Sequence, residues 1–208
     1  MISQPVEEPM RKYSKPLALA ILFLSQLTSA LAQTAGTGTT EIDLALLAKA
    51  NGGDAPAQVQ MGDNSCAAGN KATHDPQQLA EYYKVAAIWY RKAAEQGSLT
   101  GQLHLAALYR DGRGVPRDMA QAAEWYHKAA EQGDTGAQAT LGVLYSIGQG
   151  IPQSYGEAYY WFDLASRVKG PSQEKYAAYR QMSGTHITAD ELADVQQRAA
   201  KWLASHPR

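Results

Sequence analysis

The sequence predicts an all-α fold, a superhelical solenoid of stacked helical hairpins that ends in a C-terminal capping helix. Three observations lead to this prediction. Trp89, Trp125 and Trp161 recur at an interval of 36 residues. Apolar residues within each interval follow the i, i+3, i+4 spacing of an amphipathic helix. Glycines and prolines recur between these segments, where helices end. Such a period indicates stacked units that bury their apolar faces against one another.

The N-terminal segment is predicted to be a signal peptide over residues 1–32. Basic residues precede a short apolar run at 17–24, and a small-x-small cleavage site ends at Ala32. The run is shorter than the roughly 20 residues of a membrane-spanning helix. We therefore expect an exported chain, periplasmic or secreted, with no membrane span after cleavage. Two acidic residues near the start are unusual in such a segment, so translation from Met10 is an alternative.

The rest of the chain divides into a flexible leader and a repeat domain. Residues 33–40 are small and polar without periodicity, which is typical of a leader. The repeat domain at 41–208 is predicted to contain repeats at about 54–95, 98–131 and 134–168 and a cap at 172–205. An apolar-faced helix at 41–50 would cap the other end. The first repeat is eight residues longer than the others, and we place the extra residues in a loop at 66–75.

Several residues predict where the helices begin and end. Gly97 and Gly133 follow matching Ala-Ala-Glu-Gln segments, which predicts a left-handed backbone at both glycines. Asp134 is placed to cap the following helix. Thr188 and Glu191 form the pattern of a capping box ahead of the last helix.

Composition excludes several classes of function. With 19 basic and 20 acidic residues the net charge is −1, which argues against a nucleic-acid partner, since such proteins carry a basic patch. The single cysteine, Cys66, excludes an intrachain disulfide; it is interpreted as a small, partly buried residue, with a partner disulfide or redox sensing as alternatives. The histidines lie too far apart in sequence for a helical ligand pair, so neither a metal site nor a cofactor is predicted.

The repeated residues resemble the Sel-one-like repeat family, relatives of the tetratricopeptide repeat. The second helical pair carries the pattern at Gln102, Leu105, Ala106, Tyr109, Gly112, Gly114, Val115, Pro116, Ala122, Trp125, Tyr126, Ala129, Ala130 and Gly133. The third carries it at Ala137, Gln138, Leu141, Gly142, Tyr145, Gly148, Gly150, Ile151 and Pro152. The resemblance implies an α/α superhelix used for protein–protein contact, and it implies no reaction.

The alternative function is a cell-wall or penicillin-interacting hydrolase, similar to a β-lactamase. Cysteine-rich members of the family to which such activity is attributed place a cysteine pair in each repeat, whereas this chain has Cys66 alone. Ser166 with Lys169 and Ser172 with Lys175 match the Ser-x-x-Lys motif, but the companion motifs of those enzymes are missing. We therefore predict an interaction module, a scaffold or regulator, rather than an enzyme.

The resemblance implies that a protein or peptide partner binds the concave surface. Inner helices are predicted at 54–66, 98–110, 134–146 and 172–182, with core positions Met61, Leu105, Leu141 and Ala177. Positions two before, two after and five after each core position face the groove, and this rule also selects Val59 and Ala139. The candidate partner-binding residues are Asp63, Leu103, Arg110, Val143, Lys175, Tyr179 and Met182. Asp63 is also placed to pair with Arg110 in the free protein.

Overall fold

The computed structural model describes residues 43–72 and 75–206, and within these ranges the chain forms nine α-helices and no strand. The helices are α1 (Leu44–Asn51), α2 (Ala55–Ala72), α3 (Pro76–Glu95), α4 (Leu99–Asp111), α5 (Met119–Glu131), α6 (Thr135–Ile147), α7 (Tyr155–Ser166), α8 (Gln173–Gly184) and α9 (Ala189–Ser205). The predicted all-α class is confirmed. The predicted signal peptide and leader lie outside the described residues. None of these nine helices is long and apolar enough to cross a bilayer.

Consecutive helices pack against each other from α1 to α8, and α9 packs back against α7. Most helices begin at a short polar residue whose side chain accepts a backbone N–H of the first turn, and the predicted cap Asp134 accepts the N–H of Ala137 at 2.7 Å. Gly97 and Gly133 have φ angles of 84° and 90°, which confirms the predicted left-handed backbone at both positions. These capping side chains and glycines therefore determine where the helices begin and end.

The periodic tryptophans lie in the core, between alanine-rich helix faces. Trp89, Trp125 and Trp161 are 4%, 6% and 1% exposed. Alanines one turn along the same helices are fully buried, which lets neighbouring helices approach closely while the indole rings fill the space between them. Leu105 and Leu141 are buried as predicted. Met61 and Ala177, predicted as their core equivalents, are only half-buried. The helix α1 that packs near Met61 has only 8 residues, and the helix α8 that carries Ala177 packs mainly on α7.

Three buried glutamines join each repeat to the preceding helix, a feature that the sequence analysis did not predict. Gln58, Gln102 and Gln138 each donate a side-chain N–H to the carbonyl oxygen eight residues earlier, at 3.0, 3.4 and 3.1 Å. The side chains of Gln96 and Gln132 donate in turn to Gln58 and Gln102 at 2.7 and 2.8 Å. These bonds satisfy carbonyl groups at helix C-termini that would otherwise be buried without partners.

The glycine-rich turns dock on the preceding repeat. A Cβ on Gly114 would lie 2.2 Å from the carbonyl carbon of Tyr83 in α3, and a Cβ on Gly150 would lie 2.4 Å from that of Met119 in α5. Both glycines also have φ angles near 70°, a region that side chains disfavour. Each turn therefore requires glycine both for its own conformation and for its contact with the repeat before it.

The first repeat contains one error of prediction. The extra residues were placed in a loop at 66–75, but α2 continues as a helix to Ala72. The insertion lengthens α2 and α3 together, and the added turns pack closely because Gly69 lies against the side chain of Tyr82. Tyr83 also donates a hydrogen bond to the side chain of Asn70 at 3.1 Å. Contacts between the two longer helices thus hold the insertion in helical form.

The two ends of the repeat region are covered by helices. At the N-terminal end, α1 buries Leu46 and Ala50 against Ala57 and Trp89. At the C-terminal end, the predicted capping box of Thr188 and Glu191 is present at the start of α9. That helix buries Val195, Ala199 and Trp202, and its Arg198 forms a two-point ion pair with Glu157 of α7 at 2.7 and 3.0 Å. The predicted terminal helix is therefore confirmed as a packed element.

Candidate partner-binding surface

The candidate residues lie on one set of helices, the first helix of each repeat. We call the surface formed by α2, α4, α6 and α8 the first-helix face. Asp63, Arg110 and Lys175 are exposed on it, whereas Leu103 is half-buried and packs against the core. The groove rule failed at Val59 and Ala139, which are 9% and 7% exposed, because the position two before the core residue faces inward at both sites.

Three candidate residues come together in one cavity of about 350 Å³, the α6–α8 cavity. They are Val143, Tyr179 and Met182. The complete lining is Val143, Ser146, Tyr155, Phe162, Tyr179, Met182, Ser183 and His186. Val143 is 39% exposed and Met182 is 65% exposed, so apolar surface faces solvent where burial would be favourable.

Gly142 and Phe162 set the shape of the α6–α8 cavity. A Cβ on Gly142 would lie 2.7 Å from the Phe162 ring, so glycine allows the ring of α7 to reach between α6 and α8. The Phe162 ring then contacts the Tyr179 ring at a centroid distance of 5.3 Å. At the mouth, Tyr155 stacks on His186 at 4.3 Å. An apolar floor with a polar aromatic mouth suits a large apolar side chain of a ligand.

The cavity contains no permanently charged residue, but one lies beside it. Among the lining residues none is Lys, Arg, Asp or Glu. The Lys175 ammonium group lies 5.6 Å from the Tyr179 ring centroid, so one positive charge lies beside the cavity.

A polar group of different chemistry occupies the other end of the first-helix face. The Tyr90 hydroxyl donates to Oδ1 of Asp63 at 2.7 Å, and the Cys66 sulfur lies 3.7 Å from the same hydroxyl. The His104 ring stacks on Tyr90 at 4.7 Å and places Nε2 3.7 Å from Asp63 Oδ1. Burial raises the pKa of both the Tyr90 hydroxyl and the Cys66 thiol, so both groups remain protonated. We call these four residues the Asp63 cluster.

The expected pairing of Asp63 with Arg110 is wrong. Arg110 donates to the carboxylate of its neighbour Asp111 at 2.8 and 3.1 Å and to the Tyr126 hydroxyl at 3.1 Å. Asp111 follows Arg110 directly in the sequence, so this ion pair forms without any change in helix packing. The structure therefore brings Val143, Tyr179 and Met182 together, with Lys175 beside them, and leaves Asp63 in a separate cluster.

Tyr90 and His104 were not predicted as members of this surface. Tyr90 is 2% exposed in the core, and its hydroxyl reaches Asp63. Its equivalents Tyr126 and Phe162 also reach between the first helices, where one binds Arg110 and the other forms the floor of the α6–α8 cavity. The signal was present as a second aromatic repeating at 36 residues.

A further polar site, formed around Asp163, joins α7 to α8. The carboxylate of Asp163 is 3% exposed and accepts from Arg167 at 2.9 and 3.0 Å and from Arg180 at 2.9 Å. It borders an open depression of about 790 Å³ lined by Ser166, Arg167, Gln173, Glu174, Ala177, Arg180 and Leu203. Ser166 of the Ser-x-x-Lys match donates to the Asp163 carbonyl oxygen of its own helix at 2.9 Å. This geometry is structural, because the hydroxyl proton is directed at a backbone acceptor.

Residues able to hold a metal ion do not cluster in the described ranges. No group of three or more His, Cys, Asp or Glu side chains has suitable geometry within residues 43–72 and 75–206.

Comparisons with a family model and with solved structures agree on one family. The Sel1 repeat model matches residues 55–98, 100–134 and 135–167, more than half of the chain. A protective antigen of uropathogenic Escherichia coli with an SLR fold is 25% identical, with a TM-score of 0.54; the match covers 89% of this chain and 45% of the antigen. A Sel1 repeat protein from Oxalobacter formigenes is 28% identical, with a TM-score of 0.52, over 64% of this chain and 96% of that one. This chain thus spans less than half of the antigen. No curated protein matches it.

Proposed function

This chain belongs to the Sel1 repeat family, and on that premise we propose that it is an exported interaction module whose first-helix face binds a protein or peptide partner. The observation that carries the proposal is the α6–α8 cavity. Three residues selected from the repeat register line it, and two of them expose apolar surface. Sel1 repeats are typically non-enzymatic and act in protein–protein contact, so binding rather than turnover is the activity expected of this face.

A pair of matched substitutions tests the binding face. Val143→Asp with Met182→Asp would place two carboxylates at the mouth of the α6–α8 cavity. Ile88→Asp is the control, because Ile88 is 52% exposed on α3, away from the first-helix face. We expect the double variant to lose specific partners that the wild type and Ile88→Asp retain, in pull-downs from envelope extract quantified by mass spectrometry. Equal recovery by all three proteins would contradict the proposal, provided that their melting curves agree.

Export is supported by the N-terminal sequence pattern. Intact-mass analysis of protein recovered from periplasm and medium should give a chain that begins at Gln33. Recovery of uncleaved protein from the cytoplasm alone would contradict export without affecting the binding face.

The absence of turnover is tested separately. Against a chromogenic β-lactam we expect the wild type to match a variant carrying Ser166→Ala and Ser172→Ala. A hydrolysis rate that disappears in this variant would contradict the interaction-module proposal and support the hydrolase alternative.

A further inference from the structure

The Asp63 cluster presents a carboxylate that, in the described part of the chain, has a histidine beside it but no lysine or arginine. The Asp63 side chain is 49% exposed, and within residues 43–72 and 75–206 no lysine or arginine lies within ion-pair distance of it. The Tyr90 hydroxyl orients the carboxylate at 2.7 Å. The stacked Tyr90 and His104 rings lie beside it. A half-exposed carboxylate held in place by a tyrosine hydroxyl favours an arginine or lysine side chain from a partner, since the cation gains a charge-assisted hydrogen bond.

The other charges on the first-helix face do not offer the same site. Arg110 is already paired with Asp111, so that position is close to neutral. Lys175 lies beside the α6–α8 cavity, where it repels a basic group and leaves the cavity to an apolar one. The face therefore has two ends with opposite preferences, a negative one on α2 and an apolar, positively flanked one between α6 and α8.

The distance between these ends matches an extended peptide. With about 10 Å between the first helices of successive repeats, the path from α2 over α4 to the α6–α8 cavity is about 20 to 25 Å. An extended chain rises about 3.3 Å per residue and covers this path in about six to eight residues.

We propose that the first-helix face binds an extended segment carrying an arginine or lysine for Asp63 and, about six to eight residues away, a large apolar side chain for the α6–α8 cavity. This proposal rests on the proposed function, and it specifies the partner's sequence pattern.

The test uses a random dodecapeptide library displayed on phage and selected on the immobilised protein. Selected peptides should share a basic residue separated from a Leu, Met, Phe or Trp by the spacing above. One such peptide is then synthesised with a fluorophore and titrated against three proteins. They are the wild type, Asp63→Asn, which keeps an acceptor for the Tyr90 hydroxyl, and Glu95→Gln, an exposed carboxylate on α3 that serves as the control.

Asp63→Asn should weaken binding by about five- to tenfold while Glu95→Gln leaves it unchanged. Replacing the basic residue of the peptide by Ala should weaken binding to the wild type by the same factor and have no further effect on Asp63→Asn, because the two groups are coupled. Peptides that lack the pattern, or that bind Asp63→Asn as tightly as the wild type, would overturn this inference and leave the proposed function standing. If no peptide is enriched above an uncoated surface, this inference is contradicted, and the pull-downs with Val143→Asp and Met182→Asp decide the proposed function.

Discussion

The junctions between the middle repeats and the junction between α7 and α8 both hold neighbouring helices together, but residues of different chemistry form their contacts. Between the middle repeats, buried alanines and tryptophans provide the contact, and uncharged glutamines satisfy the helix ends. Between α7 and α8, a buried carboxylate binds two arginines, Arg167 and Arg180. The middle chemistry can be copied from repeat to repeat because every unit presents the same residues. The last junction cannot be repeated in this way, because among the described residues its carboxylate pairs only with its own two arginines.

The largest effect should come from the middle of the stack. Trp125→Ala should lower the free energy of unfolding by about 3–5 kcal/mol, because the ring is 6% exposed and belongs to the main core cluster. Denaturant melts would measure this change. A loss under about 1 kcal/mol would show that the middle junctions do not depend on the periodic tryptophans.

The docking of the turns gives the next largest effect. Gly150→Ala should cost about 3 kcal/mol, since the new Cβ collides with the α5 backbone and the φ angle is unfavourable. Gly97→Ala is the matched control: it also has a positive φ, but a Cβ there meets nothing within 4 Å, so about 1 kcal/mol is expected. Equal thermal shifts in the two variants would mean that backbone strain alone requires glycine.

Removing the charge at the last junction should cost less than removing the tryptophan. Asp163→Ala should destabilise the protein by about 2 kcal/mol, because the two arginines are partly exposed and water replaces the lost carboxylate. The loss should change little with salt, because a carboxylate that is 3% exposed is screened much less than a surface charge. A cost larger than that of Trp125→Ala would reverse the ranking of the two junctions.

A change in the capping box at the start of α9 should have the smallest effect on stability, and this effect should depend on pH. Hydrogen bonds from Thr188 hold the pKa of Glu191 below its ordinary value. A lowered folded-state pKa stabilises the protein above the unfolded-state pKa, and this contribution disappears as the pH falls through the folded-state value. Glu191→Gln should therefore cost little near neutral pH and nothing in acid. Thermal melts from neutral pH down through the folded-state pKa would measure how much less stable Glu191→Gln is than the wild type. A difference that stays constant with pH would contradict this role.

The sequence predicted the parts of the fold that depend on residue size and backbone conformation. The tryptophan period, the stops at Gly97 and Gly133 and the capping box could all be found because each residue has a strong local preference. Gln102 and Gln138 were recognised as repeated residues, but their hydrogen bonds were not predicted, because only packing shows the carbonyl group that each side chain binds. Asp163 was missed for the same reason, since it lies in an aromatic segment and its arginines come from elsewhere in the chain.

The candidate surface was predicted in part by counting positions along the helices. Counting placed Val143, Tyr179 and Met182 correctly on one face, and the structure brings them into one cavity. It could not place His104 beside Asp63, because that contact depends on how α2 and α4 pack. It also placed the insertion of the first repeat in a loop, because length alone does not distinguish a loop from two longer helices.

The docking of Gly114 and Gly150 gives the molecule a direction of growth. Each glycine turn rests on the helix before it, and each buried glutamine binds a carbonyl group eight residues earlier. A newly synthesised repeat therefore finds its binding surface already formed behind it and needs no later segment to complete these bonds. Contacts between segments close in sequence assemble quickly. Duplicating a middle unit would therefore extend the stack without disturbing the earlier ones.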